Sequence, residues 1–359
     1  MSQMSLPAPT GTHPVGTTSL HLRDVSRADT WVAGVNAREL MISVWYPAAT
    51  PSTHRAGYLT PTESDLLLQG AGSGGLPRDV LSMVRTNAFV DAPPVGQRRS
   101  LPLVVLSPGF TKPRATLTAL AEDLASNGSV VVAIDHTYEN VATTFPDGRV
   151  TTCTAGEGIV HDPAFWRKLV RGRAVDVSFV LDELTGDDPK WTDAWLIDPS
   201  RIAMVGHSAG GASTIAAMLA DSRIHAGIDI DGSTDDAIPD GGLSRPFLFL
   251  GRQAQYDPET GTPAAAGWER EWPRLTGWKR WLVVAGAAHH SFTDLAPLAD
   301  QLGISLSTEL PGDRSLQITR SYVRAFVDLH LRHRPQPLLT RPSTCYPEVT
   351  FCSPGTRTR

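Results

Sequence analysis

The stretch Arg201-Ile202-Ala203-Met204-Val205-Gly206-His207-Ser208-Ala209-Gly210-Gly211 decides how the rest of the chain reads. Its first half is a short apolar run, and the Ala-rich residues 212–220 that follow have the composition of a helix. The spacing therefore predicts a strand ending at Val205, a tight turn, and a helix. Between strand and helix stands the pattern G-x-S-x-G, in the one context where it carries chemistry. Glycines at 206 and 210 remove Cβ atoms that would clash with the neighbouring strand and helix, so the chain can turn sharply enough to expose a serine hydroxyl. A helix N-terminus beside that hydroxyl favours negative charge as it develops. Ser208 is thus the candidate nucleophile.

The same alternation extends in both directions. Leu103-Val104-Val105-Leu106-Ser107 and Val130-Val131-Val132-Ala133-Ile134 are wholly apolar strands, as are the runs at 226–230, 247–250 and 281–284. Helical spacing of apolar residues marks 114–126, 163–184 and 321–333. An earlier strand at 40–46 is stopped by Pro47. Short continuous apolar strands alternating with helices are what a buried parallel sheet demands. The expectation is one α/β domain over 39–335, with a mostly parallel central sheet and helices on both faces. Residues 1–38 read as an N-terminal arm, loose over about its first 20 residues, and 336–359 as a tail. The segment 51–100, with a Gly-rich patch, reads as an insertion lying over one face.

Composition agrees with a globular enzyme. Of 359 residues 41% are hydrophobic and 19% charged, enough apolar material for a core and too much for a disordered chain. A net charge of −5 without a basic block gives no electrostatic footprint for nucleic acid. Cys153, Cys345 and Cys352 are too few for a disulfide framework; the last two, seven residues apart, either bridge in an oxidising compartment or stay as thiols. The polar first 18 residues lack a basic region followed by an apolar run, so a cytoplasmic location is expected, or a secreted one if a leader was trimmed. No stretch approaches the roughly 18 apolar residues of a membrane helix. No His/Cys/Asp cluster shows ligand spacing, and neither a metal nor an organic cofactor is expected.

A serine hydroxyl needs a base to take its proton and an acid to orient that base, and on a sheet of this kind they follow in the order Ser, Asp or Glu, His. After the last strand, Ala287-Ala288-His289-His290-Ser291 places two histidines at a strand's carboxyl end. His289 is the candidate base and His290 the reserve. For the acid, position alone leaves two places open: Asp231, which closes the strand 226–230, and Asp257, which follows the next strand. The oxyanion needs two backbone N–H donors. One belongs to the residue after the nucleophile, Ala209; the other is expected from the loop Ser107-Pro108-Gly109-Phe110, at Phe110.

Taken together, these patches resemble the plasma-type (group VII) platelet-activating-factor acetylhydrolases and their bacterial esterase, lipase and cutinase-like relatives, proteins of the α/β-hydrolase fold. The patches are Ile42-Ser43-Val44-Trp45-Tyr46-Pro47, Ser107–Phe110, 173–182, Gly206–Gly211, Gly227-Ile228-Asp229-Ile230-Asp231 and His289-His290-Ser291-Phe292, spread over about 40–330. The resemblance implies a serine hydrolase of carboxylic esters, with Asp231 rather than Asp257 as acid and His289 rather than His290 as base. Two departures stand out: Pro108 where that family has histidine in its oxyanion loop, and Ala209 where it often has phenylalanine. Both reshape the acyl pocket, so phospholipid specificity does not carry over. The substrate expected is a small-molecule or lipid-like ester, with no nucleic-acid partner and no stable membrane insertion. The rival readings are thioester, amide, lactone or polyester cleavage or acyl transfer by the same residues, and a non-catalytic binding protein on the same fold.

Overall fold

A computed structural model describes residues 3–72, 75–306 and 308–354. In chain order the elements are β1 (Val15–Asp24), β2 (Arg38–Pro47), α1 (Pro61–Gly70), β3 (Ala88–Val90), β4 (Leu101–Ser107), α2 (Thr118–Ser126) and β5 (Val130–Asp135). A small ribbon of β6 (Thr143–Thr144) and β7 (Val150–Thr151) follows, then α3 (Pro163–Thr185), β8 (Ile197–His207), α4 (Ala209–Ala220) and β9 (Ala226–Ile230). The last third holds β10 (Phe247–Arg252), α5 (Gln253–Tyr256), α6 (Pro263–Glu271), β11 (Lys279–Val284), α7 (Leu295–Leu302), α8 (Gly312–Leu331) and β12 (Val349–Phe351).

Ten of these strands form one sheet in the order β12-β11-β10-β9-β8-β4-β5-β2-β1-β3. From β5 through β4, β8, β9 and β10 to β11 every pairing is parallel, while β2 and β12 join antiparallel. Alternation along each strand feeds two cores. Leu103, Val105 and Met204 lie against α3, α4 and Trp268 of α6, whereas Val104, Leu106 and Val205 lie against α2 and α8. A strand buried on both faces has no polar side to show, which is why these runs are apolar throughout. The order makes β8 central, so the turn after it sits in the middle of the sheet's carboxyl edge, where ligands of open α/β sheets bind.

Four expectations change. The stretch read as a loose arm contains β1, which pairs with β2 along its whole length. Its exposed residues are Ser19, His21 and Arg23, so the apolar signal is confined to Val15, Leu20 and Leu22. Farther out, Thr10 donates to the Asp123 carboxylate and Arg320 to the Pro7 and Ala8 carbonyls, tying the arm to α2 and α8. The insertion, for its part, contributes β3 to the sheet edge, and Leu67, Leu68, Val80 and Leu81 cover Ala115, Ala119 and Leu316 on the α2/α8 side. The tail likewise supplies β12. The last helix also begins earlier than the spacing predicts, because its first turns are rich in polar residues. All three cysteines are free thiols.

Candidate active site

Ser208 stands between β8 and α4 with φ 57° and ψ −119°, a conformation that costs a non-glycine residue energy and marks a functional turn. Its surroundings show why glycine is required on both sides. A Cβ on Gly206 would lie 2.0 Å from the Gly210 carbonyl carbon, and one on Gly210 would lie 1.9 Å from the Ser107 carbonyl oxygen. Ser208 N–H donates to Ile230 O at 2.8 Å, which docks the turn onto the end of β9.

His289 begins a short 3₁₀ turn after β11. Its Nε2 is 2.9 Å from Ser208 Oγ and its Nδ1 is 2.5 Å from Asp231 Oδ2. Asp231 is itself held at φ 54°, directly after β9. Its carboxylate is fully buried and accepts from the Arg252 backbone N–H at 2.8 Å and from Arg252 Nε at 2.9 Å. A buried carboxylate held by several hydrogen bonds is fixed in place. The imidazole is 32% exposed, so the histidine bridges the buried acid and a hydroxyl open to a ligand.

The alternatives lie elsewhere. Asp257 accepts from Glu259 N–H at 3.0 Å and caps the turn that follows it. His290 bonds neither Ser208 nor Asp231. Burial, the neighbouring His289 and the cations Lys112 and Arg252 push its pKa down to about 4, so it is neutral. Among the aromatic residues, Tyr256 and Trp268 are core: they are buried and stack at 3.9 Å. Phe110 and Trp166, by contrast, are half-buried and form an edge-to-face cluster with Phe165, at centroid distances of 5.5 and 5.6 Å from the Phe110 ring.

The loop Ser107–Phe110 runs beside Ser208. A Cβ on Gly109 would be 3.3 Å from Ser208 Cβ, so only a glycine lets the loop come this close without its neighbour giving way. Ala209 is the first residue of α4, and its N–H has no partner within the helix.

Four residues passed over by sequence reasoning also shape the site. Arg252 grips both oxygens of Asp231; its place at the end of the strand after Asp231 was the available signal. His207, in the variable place of the motif, donates from Nε2 to His289 O at 2.8 Å. Burial, then the His289 ring 4.7 Å away, holds it neutral, and its Nδ1 has no partner. Asp229 lies under the turn, where Oδ1 accepts from Gly232 N–H at 2.8 Å; burial raises its pKa well above the usual carboxylate range. Trp268 Nε1 donates to Gly232 O at 2.8 Å, bracing the same turn.

Comparison with known proteins points to esterases of the α/β-hydrolase fold. A family model described as platelet-activating factor acetylhydrolase, isoform II, matches residues 1–151, a span that stops short of Ser208. A solved ferulic acid esterase from Streptomyces cinnamoneus is 42% identical and superposes with a TM-score of 0.86, covering 98% of this chain and 100% of that one. A probable 1-alkyl-2-acetylglycerophosphocholine esterase of Arthroderma benhamiae is 28% identical over 98% of this chain and 94% of its own length. Cutinase 2 of Thermobifida cellulosilytica is 31% identical over 31% of this chain and 32% of its own.

Proposed function

The chain belongs to the α/β-hydrolase serine esterases, on the branch that resembles the platelet-activating factor acetylhydrolases, and from that premise we propose how this carboxylic ester hydrolase divides its reaction among named residues. Ser208 Oγ attacks the acyl carbon while His289 Nε2 takes its proton. Asp231 accepts the Nδ1–H, holds the tautomer and stabilises the imidazolium. The Phe110 and Ala209 N–H groups receive the oxyanion of the tetrahedral intermediate. His289 then gives its proton to the leaving alcohol oxygen, and the acyl group stays on Ser208. A water deprotonated by His289 attacks that acyl carbon, the acid leaves, and Ser208 recovers its proton. The observation that carries this reading is the unbroken run from Ser208 Oγ through the imidazole to a buried carboxylate, at 2.9 and 2.5 Å.

The acyl group has a place in the same reading. The aromatic cluster of Phe110, Phe165 and Trp166 adjoins the proposed oxyanion donor. Flat aromatic walls suit a planar acyl chain better than a flexible one. With the relative named for ferulic acid spanning the whole chain, the substrate class proposed is an ester of a planar aromatic acid or a short acyl group. The test is a panel of methyl ferulate, p-nitrophenyl acetate, p-nitrophenyl palmitate and a 1-alkyl-2-acetyl phospholipid, with wild type beside Ser208→Ala. The three esters of a planar or short acyl group are expected to turn over with kcat/KM at least about tenfold above the palmitate, and the variant to be inactive. Turnover surviving Ser208→Ala would overturn the mechanism; a preference for palmitate would overturn the substrate class alone.

A further inference from the structure

Beneath the loop that carries Phe110 lies a buried network of charges that the reaction itself does not use. Arg173 and Asp176 project inward from α3, Glu139 and His136 from the segment after β5, and Arg38 from the start of β2; each is no more than 1% exposed. Asp176 accepts from Arg38 Nη2 at 2.8 Å and from Arg27 Nη2 at 2.5 Å. His136 Nδ1 is 2.8 Å from Asp176 and its Nε2 is 2.9 Å from Ser107 Oγ. Arg173 Nε donates to Glu139 at 2.7 Å, and the other Glu139 oxygen accepts from Trp31 Nε1 at 2.8 Å.

The network reaches the loop at fixed points on both sides of Phe110. On one side, Arg173 Nη1 donates to Pro108 O at 2.5 Å and to Ser107 Oγ at 3.2 Å. On the other, Glu139 O accepts Thr111 N–H at 2.8 Å, and Thr111, at φ 67°, passes the chain back out. Between them lies the Gly109–Phe110 peptide, whose N–H must point at a charge present only in the tetrahedral intermediate. Glycine at 109 leaves that peptide free to rotate, so its aim has to come from its neighbours. Buried charges of both signs are a costly way to gain stability, since apolar packing often serves as well. Their directionality is what they add, and here it ends on the loop.

We propose that Arg173 is a positioning residue for the oxyanion donor: by clamping Pro108 O while Glu139 holds Thr111, it aims the Phe110 N–H. The inference rests on the role given to Phe110 above. Donors of this kind count for a factor of about 10²–10³ in kcat, and a misaimed donor loses part of that.

The test compares wild type with Arg173→Lys, which keeps the charge but loses the fork, and with Ser107→Ala, which removes one anchor and no charge. Active sites are counted by end-point fluorophosphonate labelling, so loss of folded protein is separated from loss of rate. Per labelled site, Arg173→Lys is expected to lower kcat about 10- to 100-fold with KM nearly unchanged. Its affinity for an aryl trifluoromethyl ketone, which presents an oxyanion once Ser208 adds, should fall by the same factor. Ser107→Ala should show the same pattern at about three- to tenfold, and it stands as the test if the arginine variant does not fold. Unchanged kcat and inhibitor affinity per labelled site in whichever variant folds would overturn the positioning role and leave the mechanism standing. Failure of wild type to label at Ser208 would instead remove the mechanism on which the inference rests.

Discussion

Two Ser–His–Asp relays occur among the described residues, and by distance they are hard to tell apart. Ser208–His289–Asp231 spans 2.9 and 2.5 Å, and Ser107–His136–Asp176 spans 2.9 and 2.8 Å. Everything else about them differs. The first lies at the sheet's carboxyl edge, with its serine on a strained turn at φ 57° and its imidazole a third exposed. The second is sealed: Ser107, His136 and Asp176 are 0%, 1% and 0% exposed, so no acyl group reaches the hydroxyl. Ser107 Oγ also accepts from the Arg173 guanidinium, which draws electron density from the oxygen and makes it a poorer nucleophile. Burial, then the nearby Arg173, keeps His136 neutral. Burial alone would raise the Asp176 carboxyl, but Arg38 and His136 outweigh it and hold it well below the usual range. Hydrogen-bond geometry therefore makes a relay; access, backbone strain and free N–H donors make it reactive.

Breaking the two relays at equivalent atoms separates these roles. Ser208→Ala is expected to lower kcat on a p-nitrophenyl ester by about 10⁶-fold, the cost of losing a unit that acts together. Ser107→Ala stays within about tenfold, because it only loosens the loop. Comparable losses from the two substitutions, measured on folded protein, would erase the distinction.

The acids come next. Asp231→Asn leaves the fold intact and lowers kcat by about 10⁴-fold, since the amide favours the wrong imidazole tautomer. Asp176→Asn has the opposite profile. It removes the carboxylate that Arg38 Nε and Nη2 share and leaves the buried guanidinium with Asp29 as its remaining hydrogen-bonded acid, at a cost of about 3–5 kcal/mol in urea unfolding, while activity per folded molecule stays within about tenfold.

The smallest effect is in pH. His290 has an ordinary pKa of 6.5 and sits at about 4 in the fold. Between those values the unfolded chain binds a proton that the native state does not. The native state is then favoured fully above pH 6.5 and progressively less as pH falls towards 4. His290→Gln removes this term, so its loss of unfolding free energy from pH 7 to 4.5 should be smaller than that of wild type, by about 1 kcal/mol after allowance for its partial exposure. Because His290 is neutral throughout the working range, the acidic limb of kcat/KM should not move. A shifted limb would mean that His290 carries charge beside the reacting imidazole.

The rim relay was largely legible in the sequence, and the buried one was not. Ser208 announces itself because a strained turn admits few residue types, and Gly206 and Gly210 are fixed by contacts of about 2 Å. His289 follows from its place after β11. Asp231 did not follow from position alone, because two strand ends in succession carry an aspartate; what separates them is Arg252 and a bend at residue 231, both tertiary. β1 was hidden because its outward face is polar. Charge alone gives Arg38, Arg173 and Asp176 no role, although Arg173 and Asp176 fall on the apolar stripe of α3 beside Val170 and Val177. That placement was the signal.

The central claim meets its most direct test in a fluorophosphonate adduct located by peptide mass spectrometry. The account predicts one adduct, on Ser208, much slower to form in His289→Ala and never found on Ser107. An adduct on any other residue, or an unmodified Ser208 in protein whose esterase activity has been fully inhibited, would contradict it.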